Sequence, residues 1–388
     1  MDPLSDRTRL IASATRRGKG RRPVNPPVER ASTLLSDSVA DMRDAGQGPL
    51  YGIEGTASQT ALRAALADLE QARDCWLVPS GLAAVTLPLI ALTKPGDEIL
   101  TTDAVYGPVR RFLTRHMAAR GVVTRFHPPE APAAGIAERI SDRTRVILIE
   151  SPASLTFAMI DVPALAAAAR ARNVLTVMDN TWAAGLAFKP LVHGVDVSVQ
   201  ALTKYVGGHS DLMLGAVSAG DPALCTLIAD AVEDIGLCVS PDDAWLALRG
   251  LRTMPLRYSE QARSALTVAD WMAARPEVAR VLYPARPDDP AHDVWARHYT
   301  GAASLFGVVM RGGSRADAEA LLNGLTLFGL GYSWGGFESL ITLETPQMAW
   351  REAPPTLEGP LLRIHVGLEE PADLIADLEA GLAGWPQT

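Results

Sequence analysis

Cysteine is scarce in this chain, which has only Cys75, Cys225 and Cys238 among its 388 residues. No two of them form a C-x-x-C pair, and so few cysteines cannot build the disulfide framework of a small secreted domain. The seven histidines include no H-x-x-x-H pair, the spacing that places two metal ligands on one helix face. The sequence therefore predicts no metal site and a reducing compartment.

Excess positive charge is also missing. The formal net charge is −8 and the pI is about 5.5, which argues against nucleic acid or an anionic membrane surface as a partner. One basic cluster stands apart within residues 1–30, at Arg16, Arg17, Lys19, Arg21 and Arg22. It could be a targeting or anion-binding tail. Because the rest of the chain is acidic, we favour an extended arm on a neighbouring subunit, or a solvated tail.

No membrane-spanning segment is predicted. The stretch Cys75–Thr93 carries no charge, but Pro79, Gly81 and Pro88 interrupt it. Its apolar residues suit a strand, a tight turn and a buried helix better than a span. The N-terminal residues are polar and lack the apolar segment of a secretory signal. We therefore expect a cytoplasmic protein.

Strands and helices alternate through the middle of the chain. Apolar runs predict strands at 75–78, 98–102, 146–150, 174–178, 195–199 and 212–218, and helical periodicity predicts helices at 57–70 and 163–172. This alternation is typical of an α/β fold with a mostly parallel sheet covered by helices. A long helical region at 244–272, broken at Pro255, then leads into a smaller α+β domain. We expect an N-terminal arm at 1–50, a large domain at 51–245 and a C-terminal domain at 246–388.

Two charged residues follow predicted strands of this sheet. Asp179 ends V-L-T-V-M-D, and Lys204 follows the strand within V-S-V-Q-A-L-T-K. At the strand ends both can face one crevice, where desolvation would lower the pKa of the lysine and make it a nucleophile. A carboxylate for a pyridinium nitrogen and a lysine for a carbonyl are what pyridoxal phosphate (PLP) requires. Taken singly, each could be a surface lysine or a helix cap.

Three further features have both a chemical and a structural interpretation. The Pro79–Gly81 turn opens a helix, and it can bind an anion or simply cap the helix. Tyr106 follows a strand, and its ring can stack on a flat cofactor or pack in the core. The stretch G-Y-S-W-G-G-F-E-S-L at residues 331–340 suggests backbone pressed against a ligand, or a glycine-rich turn.

Arg363 interrupts an apolar strand, L-L-R-I-H-V-G-L, and His365 faces the same side. A half-buried arginine needs an anion. A substrate carboxylate is one candidate, and a structural ion pair is the other.

Together, eight motifs resemble the PLP-dependent enzymes of cysteine and methionine metabolism, and within them the bacterial cystathionine β-lyases. The resemblance runs from about residue 51 to the C-terminus. The motifs are Y-G-x-x-G-T at 51–56, P-S-G-L-A-A at 79–84, D-A-V-Y-G-P at 103–108, E-S-P-A-S at 150–154, D-N-T-W-A-A-G at 179–185, T-K-Y-V-G-G-H-S-D at 203–211, Y-S-W-G-G-F-E-S at 332–339 and L-R-I-H-V-G-L-E at 362–369.

The resemblance implies the fold of type I PLP-dependent transferases and a role for each matching residue. Lys204 would form the internal aldimine with PLP and shuttle protons, Asp179 would hold the ring nitrogen, and Tyr106 would stack on the ring. The phosphate would be held by the backbone of Gly81 and Leu82 and by the Thr203 hydroxyl. Arg363, Ser333 and Trp334 would bind the substrate. Tyr51 would reach into the catalytic site of a neighbouring subunit, in a homo-oligomer that is usually a tetramer.

The implied activity is that of trans-sulfuration and methionine biosynthesis: β-elimination of L-cystathionine to homocysteine, pyruvate and ammonia. A γ-lyase, a cysteine-conjugate β-lyase and a non-catalytic binding protein of the same fold are the alternatives.

The chain departs from the family pattern at two positions. The family commonly has an arginine that binds the cofactor phosphate across the subunit interface, where this chain has Ile53 followed by Glu54. A serine that is common three residues before the lysine is replaced by Ala201. Losing a charge-assisted contact weakens cofactor binding by about 1.5–3 kcal/mol if nothing replaces it. Arg63 is a candidate replacement.

Overall fold

A seven-stranded sheet lies at the centre of the larger part of the molecule. The computed structural model describes residues 4–12, 21 and 23–386, with residue 45 described by its backbone only. The strands of this sheet are β1 (Asp74–Val78), β2 (Glu98–Thr102), β3 (Val123–His127), β4 (Thr144–Glu150), β5 (Leu175–Asp179), β6 (Val197–Ala201) and β7 (Gly215–Ala219).

The strand order is β1-β7-β6-β5-β4-β2-β3. The pairings from β3 to β6 are parallel, whereas β7 is antiparallel to both β6 and β1. This confirms the predicted mostly parallel sheet, and every predicted strand overlaps an observed one. The edge strand β3 was not predicted, because its mixed sequence V-T-R-F-H is only partly buried and lacks a continuous apolar run.

Helices cover both faces of this sheet. The alternation of side chains along β4 shows it: Ile147 and Ile149 belong to a hydrophobic cluster with α3 and α7, and Val146 and Leu148 to another with α4 and α8. The α-helices are α1 (Asp6–Ala12), α2 (Val39–Met42), α3 (Ala57–Glu70), α4 (Gly81–Leu92), α5 (Gly107–Arg111), α6 (Ala133–Ala137), α7 (Val162–Arg170), α8 (Pro222–Ile235), α9 (Pro241–Ala273), α10 (His292–His298), α11 (Arg315–Gly324), α12 (Thr345–Met348) and α13 (Pro371–Leu382).

A second, smaller sheet follows in the C-terminal part of the chain. Its strands are β8 (Val278–Leu282), β9 (Leu305–Met310), β10 (Gly329–Leu330), β11 (Leu340–Leu343) and β12 (Leu361–His365), in the order β10-β11-β12-β9-β8. The pairs of β8, β9, β11 and β12 are antiparallel. This confirms the predicted smaller α+β part. The boundaries at residues 50 and 245 stay predictions, since α9 contacts both α3 and the second sheet.

The predicted break of the long helix at Pro255 is wrong, because α9 runs without interruption from Pro241 to Ala273. A proline inside a helix removes one backbone hydrogen bond and crowds the preceding turn. Here the helix buries side chains on both sides of the proline, among them Leu251 and Tyr258. Arg257 also spans this turn and donates to the carbonyl of Gly250 at 2.8 Å. Tertiary contacts therefore outweigh the local cost.

The N-terminal arm is held at a few points. Tyr51 forms an isolated bridge with Thr33, and Arg30 pairs with Asp242 at the start of α9, with Nη2 and Oδ1 2.5 Å apart. The basic cluster at Arg16, Arg17, Lys19 and Arg22 lies outside the described residues, and Arg21 alone of the cluster is described. Among the helices of the described ranges, none has the length and apolar content to cross a membrane.

Candidate active site

Three charged side chains meet where β4, β5 and β6 end. Glu150 is the last residue of β4 and Asp179 the last of β5, and the two are partners in the register of the sheet. Lys204 lies in the loop just after β6. Because the carboxyl ends of parallel strands share one edge, this loop and the two carboxylates line one crevice. The predicted neighbourhood of Lys204 and Asp179 is therefore present.

Lys204 points at residues from the C-terminal part of the chain. Its Nζ donates to Ser333 Oγ at 2.8 Å and lies 5.2 Å from the centre of the Trp334 ring. Burial and then the positive charge of Arg363 lower the pKa of Lys204, the negative charge of Asp179 opposes them, and the result is a pKa of about 8. A neutral amine is thus accessible near physiological pH, as a nucleophile or a base requires.

Asp179 keeps one carboxylate oxygen available. Its Oδ1 accepts from the Thr181 backbone N–H at 3.0 Å and from the Thr181 hydroxyl at 2.5 Å. Within the described part of the chain no hydrogen bond reaches Oδ2. Burial raises the pKa of Asp179, while the Thr181 hydrogen bonds and the Lys204 charge lower it. A half-buried carboxylate with one oxygen free of hydrogen bonds in the described chain suits a cationic N–H partner.

A strained loop presses against the lysine. Ser333 has φ = +104°, a conformation that a residue with a side chain rarely adopts. At Gly335 a Cβ would lie 2.9 Å from Tyr205 N and 3.0 Å from the Lys204 carbonyl carbon, so only glycine fits. The glycine-rich stretch predicted to press its backbone against a ligand therefore packs against the Lys204 loop and presents Ser333 to it.

His365 supports this loop from behind. The Gly335 N–H donates to His365 Nε2 at 3.1 Å, and His365 Nδ1 lies 3.0 Å from Ser304 Oγ. Burial lowers the pKa of His365 to about 3, so the ring is neutral. Its Nε2 also lies 3.3 Å from the Gly336 carbonyl, so the neutral ring is held between Ser304 and the glycine-rich loop.

Arg363 forms the predicted structural ion pair, and its role toward a substrate carboxylate stays a prediction. Its Nε lies 3.5 Å from Oε1 of the fully buried Glu344, which is the structural ion pair. Its Nη2 also lies 3.5 Å from the Ser333 carbonyl, beside the loop that contacts Lys204. Burial lowers the pKa of Arg363 and Glu344 opposes that shift. One guanidinium carries five N–H groups, so donors remain for a substrate carboxylate.

The start of α4 leaves backbone N–H groups available for an anion. Ser80 caps the helix by accepting from Ala83 N–H at 3.1 Å. Among the described residues no acceptor is found for the N–H groups of Gly81 and Leu82. A Cβ at Gly81 would lie 2.3 Å from the Cβ of Ala201, so glycine is required there too. Free N–H groups at a helix N-terminus bind phosphate.

The other predicted phosphate ligand is already engaged. The Thr203 hydroxyl donates to the Leu214 carbonyl at 3.2 Å and accepts from its N–H at 3.0 Å. To donate to a phosphate it must release that carbonyl. Arg63, the candidate replacement for the missing arginine, bonds the Cys75 carbonyl at 2.7 Å and Asp74 at 3.2 Å.

Tyr106 is joined to the same crevice by a hydrogen bond to Glu150. Its backbone N–H donates to Glu150 Oε2 at 2.8 Å, and its ring is half-exposed at 46%. Burial and the charge of Glu150 raise the pKa of the Tyr106 hydroxyl, and the charge of Arg363 lowers it. The ring therefore lies within electrostatic reach of both.

Tyr51 is not brought together with these residues. Its side chain is 52% exposed, and its backbone N–H donates to Glu54 Oε1 at 3.1 Å. Between residues 23 and 386 no hydrogen bond or ring contact joins Tyr51 to Lys204, Asp179 or Arg363. Its predicted place in a neighbour's site stays a prediction.

Two important residues were not among the predicted site residues. Glu150 follows the apolar run V-I-L-I, the same strand-then-carboxylate pattern that singled out Asp179, so a signal existed. Glu344 gave none, because its contact with Arg363 depends on the pairing of β11 with β12.

These groups fit pyridoxal phosphate. A half-buried lysine with a lowered pKa suits its carbonyl, Asp179 Oδ2 suits a protonated ring nitrogen, and the start of α4 suits a phosphate. The donor set therefore agrees with the cofactor that the sequence motifs imply.

Comparison with known proteins agrees with this fit. A family model described as Cys/Met metabolism PLP-dependent enzyme matches residues 7–383. Cystathionine beta-lyase of Bordetella avium is 42% identical over 371 residues, covering 94% of this chain and 93% of that protein. Cystathionine beta-lyase MetC of Escherichia coli (strain K12) is 39% identical over 373 residues, covering 93% of each chain. The crystal structure of metB from Corynebacterium glutamicum superposes with a TM-score of 0.91 at 29% identity, covering 98% of each chain. This chain belongs to the PLP-dependent enzymes of cysteine and methionine metabolism.

Proposed function

We propose that this chain is a carbon–sulfur β-lyase that cleaves L-cystathionine, with one water, to homocysteine, pyruvate and ammonia. The observation that carries the proposal is the convergence of Lys204, Asp179 and Arg363 in a chain that aligns with 93% of the Escherichia coli cystathionine beta-lyase MetC. An amine, a carboxylate and a guanidinium within electrostatic reach of one another supply a base, a ring-nitrogen ligand and a carboxylate ligand.

The cofactor would be held by residues from three strand ends and one helix. Lys204 would bond its carbonyl carbon, Asp179 its ring nitrogen and Tyr106 the face of its ring. The N–H groups of Gly81 and Leu82, with the Thr203 hydroxyl, would hold the phosphate. When bound, PLP supplies an electron sink for the negative charge left at Cα after proton removal.

The chain itself would orient the substrate and move protons. Arg363 would bind the α-carboxylate, with Ser333 and the backbone of Trp334 beside it. The Lys204 amine would remove the α-proton, since its pKa of about 8 leaves a neutral fraction near pH 7. Lys204, then carrying a proton, would give one to the departing sulfur, so that homocysteine leaves as a thiol. Ser333 Oγ, 2.8 Å from Nζ, would hold the amine in place meanwhile.

The working form would be a homotetramer built from dimers, in the cytoplasm, with each site completed by Tyr51 of a neighbouring subunit. The exposure of Tyr51 supports this arrangement, as does the lack of any hydrogen bond or ring contact to the site of its own chain within the described residues. Glu54 Oε1 accepts from the backbone N–H groups of Leu50 and Tyr51 at 3.2 and 3.1 Å. These two hydrogen bonds would hold the loop in a conformation that leaves Tyr51 exposed to a neighbouring subunit.

The direct test is pyruvate release from L-cystathionine by the purified protein, with PLP titrated into the assay. Pyruvate and a free thiol in equal amounts support the proposal. Appearance of 2-oxobutyrate instead indicates a γ-lyase. Pyruvate from other cysteine conjugates but not from cystathionine indicates a different leaving group. A protein that binds PLP and turns over none of these has a non-catalytic role.

Ile53→Arg is expected to tighten PLP binding by about 10- to 100-fold, because a charge-assisted contact to phosphate contributes about 1.5–3 kcal/mol. The measurement is the PLP dissociation constant by fluorescence titration. Ile53→Gln is the matched control, since it has similar length and no charge. Equal affinities for wild type and Ile53→Arg would mean that another cation already serves the phosphate.

Cofactor loading of the apoprotein is expected to accelerate with rising pH. The neutral form of Lys204 attacks the carbonyl, so the association rate rises about tenfold per pH unit below 8 and levels off above it. Stopped-flow absorbance between pH 6.5 and 9 measures this rate. Pyridoxine 5′-phosphate, which lacks the aldehyde, is the control and its binding should not follow the same curve. A flat profile for PLP contradicts the assignment of the pKa to Lys204.

A further inference from the structure

We propose that Glu150 is a positioning residue that places the Tyr106 ring over the cofactor site by holding the Tyr106 backbone. The proposal rests on the proposed role of Tyr106 in cofactor binding. It gives a function to the E-S-P-A-S motif at residues 150–154, which neither the cofactor contacts nor the proton transfers use.

Glu150 stands between the cofactor carboxylate and the stacking residue. It is 8% exposed, it is the register partner of Asp179, and its Oε2 accepts from the Tyr106 N–H at 2.8 Å. Its Oε1 lies 2.5 Å from Ser154 Oγ, which is four residues further on. Both carboxyl oxygens are therefore fixed, one by the motif itself and one by Tyr106.

Tyr106 depends on this contact for its position. It is the residue before α5, and its side chain makes no capping hydrogen bond. In the described part of the chain its hydroxyl has no hydrogen-bond partner and its ring has no aromatic neighbour. With no hydrogen bond or ring contact to fix the side chain in the described residues, the backbone N–H bound to Glu150 is the polar contact that anchors this residue.

Glu150 can hold the Tyr106 N–H as an uncharged carboxylic acid. In the described chain no lysine, arginine or histidine lies within ion-pair distance of it. Burial, and then the negative charge of Asp179, raise the pKa of Glu150 to about 8. Arg351, on the segment after α12, donates to the Ser154 carbonyl at 2.9 Å. Burial lowers the pKa of Arg351, and the nearby carboxylates, Glu150 among them, oppose that shift. A carboxylic acid can still accept from Tyr106 on one oxygen without adding a second negative charge beside Asp179.

A double-mutant cycle on cofactor binding tests the proposal. Glu150→Ala and Tyr106→Ala are each expected to weaken PLP binding by about 10-fold, and the double variant by about 10-fold rather than 100-fold, because both changes remove the same stacking contact with the cofactor. Glu150→Gln is expected to stay within about 3-fold of wild type, since its amide oxygen accepts the same N–H. Visible circular dichroism per bound cofactor should fall in Glu150→Ala and recover in Glu150→Gln.

Glu98→Ala is the control for loss of a buried carboxylate. Glu98 is 1% exposed on β2 and is held by the hydroxyls of Ser141 and Thr144 at 3.1 and 2.5 Å. The Glu98→Ala substitution should lower thermal stability without changing the circular dichroism of bound PLP. Additive effects in the cycle, or the same dichroism loss in Glu98→Ala, overturn the proposal. Because the readout is cofactor binding, this result is independent of whether cystathionine is the substrate.

Discussion

Replacing Lys204 with alanine is expected to reduce pyruvate release from L-cystathionine by at least about 10³-fold and to remove the visible absorbance of the lysine-bound cofactor. The amine is assigned both the bond to the cofactor and the α-proton transfer, and a positioned base alone contributes about 10²–10⁴-fold. The protein should remain folded. Lys204 makes no ion pair in the described chain, and its removal relieves the cost of burying an amine.

Lys94→Ala is the matched control for this variant. Lys94 is exposed, lies before β2 at the opposite end of the sheet, and contributes its backbone N–H to Asp97 at 2.9 Å. Turnover and absorbance should match those of the wild type. Turnover by Lys204→Ala equal to that of Lys94→Ala would show that another group is the base, and would remove the lysine assignment.

The fold and the lysine–carboxylate pair were predictable because each depends on a local pattern. A strand that is buried on both faces must be apolar along its length, so the polar residue at its end marks the edge of the sheet. Asp179 is such a residue at the end of β5, and Lys204 lies in the loop that follows β6. The same rule marks Glu150, and its role was missed only because its contact with Tyr106 joins β4 to the loop after β2.

Contacts between distant segments set the limit of what the sequence could predict. Ser333 reaches Lys204 across 129 residues of chain, and Glu344 reaches Arg363 through the pairing of β11 with β12. Neither contact has a local signature. Pro255 shows the opposite failure: a strong local rule predicted a break, and the buried contacts of α9 on both sides of it decided the outcome.

Arg363→Ala is expected to lower kcat/KM for L-cystathionine by about 10²- to 10³-fold, mainly through KM. Truncating one partner of a desolvated, hydrogen-bonded charge pair costs about 2–5 kcal/mol, and tenfold corresponds to about 1.4 kcal/mol. The absorbance of bound PLP should be unchanged, because Arg363 is assigned to the substrate. Steady-state kinetics and the absorbance spectrum of the same preparation measure both.

Because Arg363 also pairs with Glu344, the single variant changes stability as well as substrate binding, and a second substitution at Glu344 separates the two effects. Removing Arg363 leaves the fully buried Glu344 without a cation, which is itself destabilising. The double variant Arg363→Ala/Glu344→Gln removes this unpaired charge. It also keeps a side-chain oxygen at residue 344 that can accept from Thr342 Oγ1. If Arg363 binds the carboxylate, the double variant regains thermal stability and keeps the high KM. If Arg363 serves only the ion pair, stability and KM recover together, because the cause of both losses has been removed.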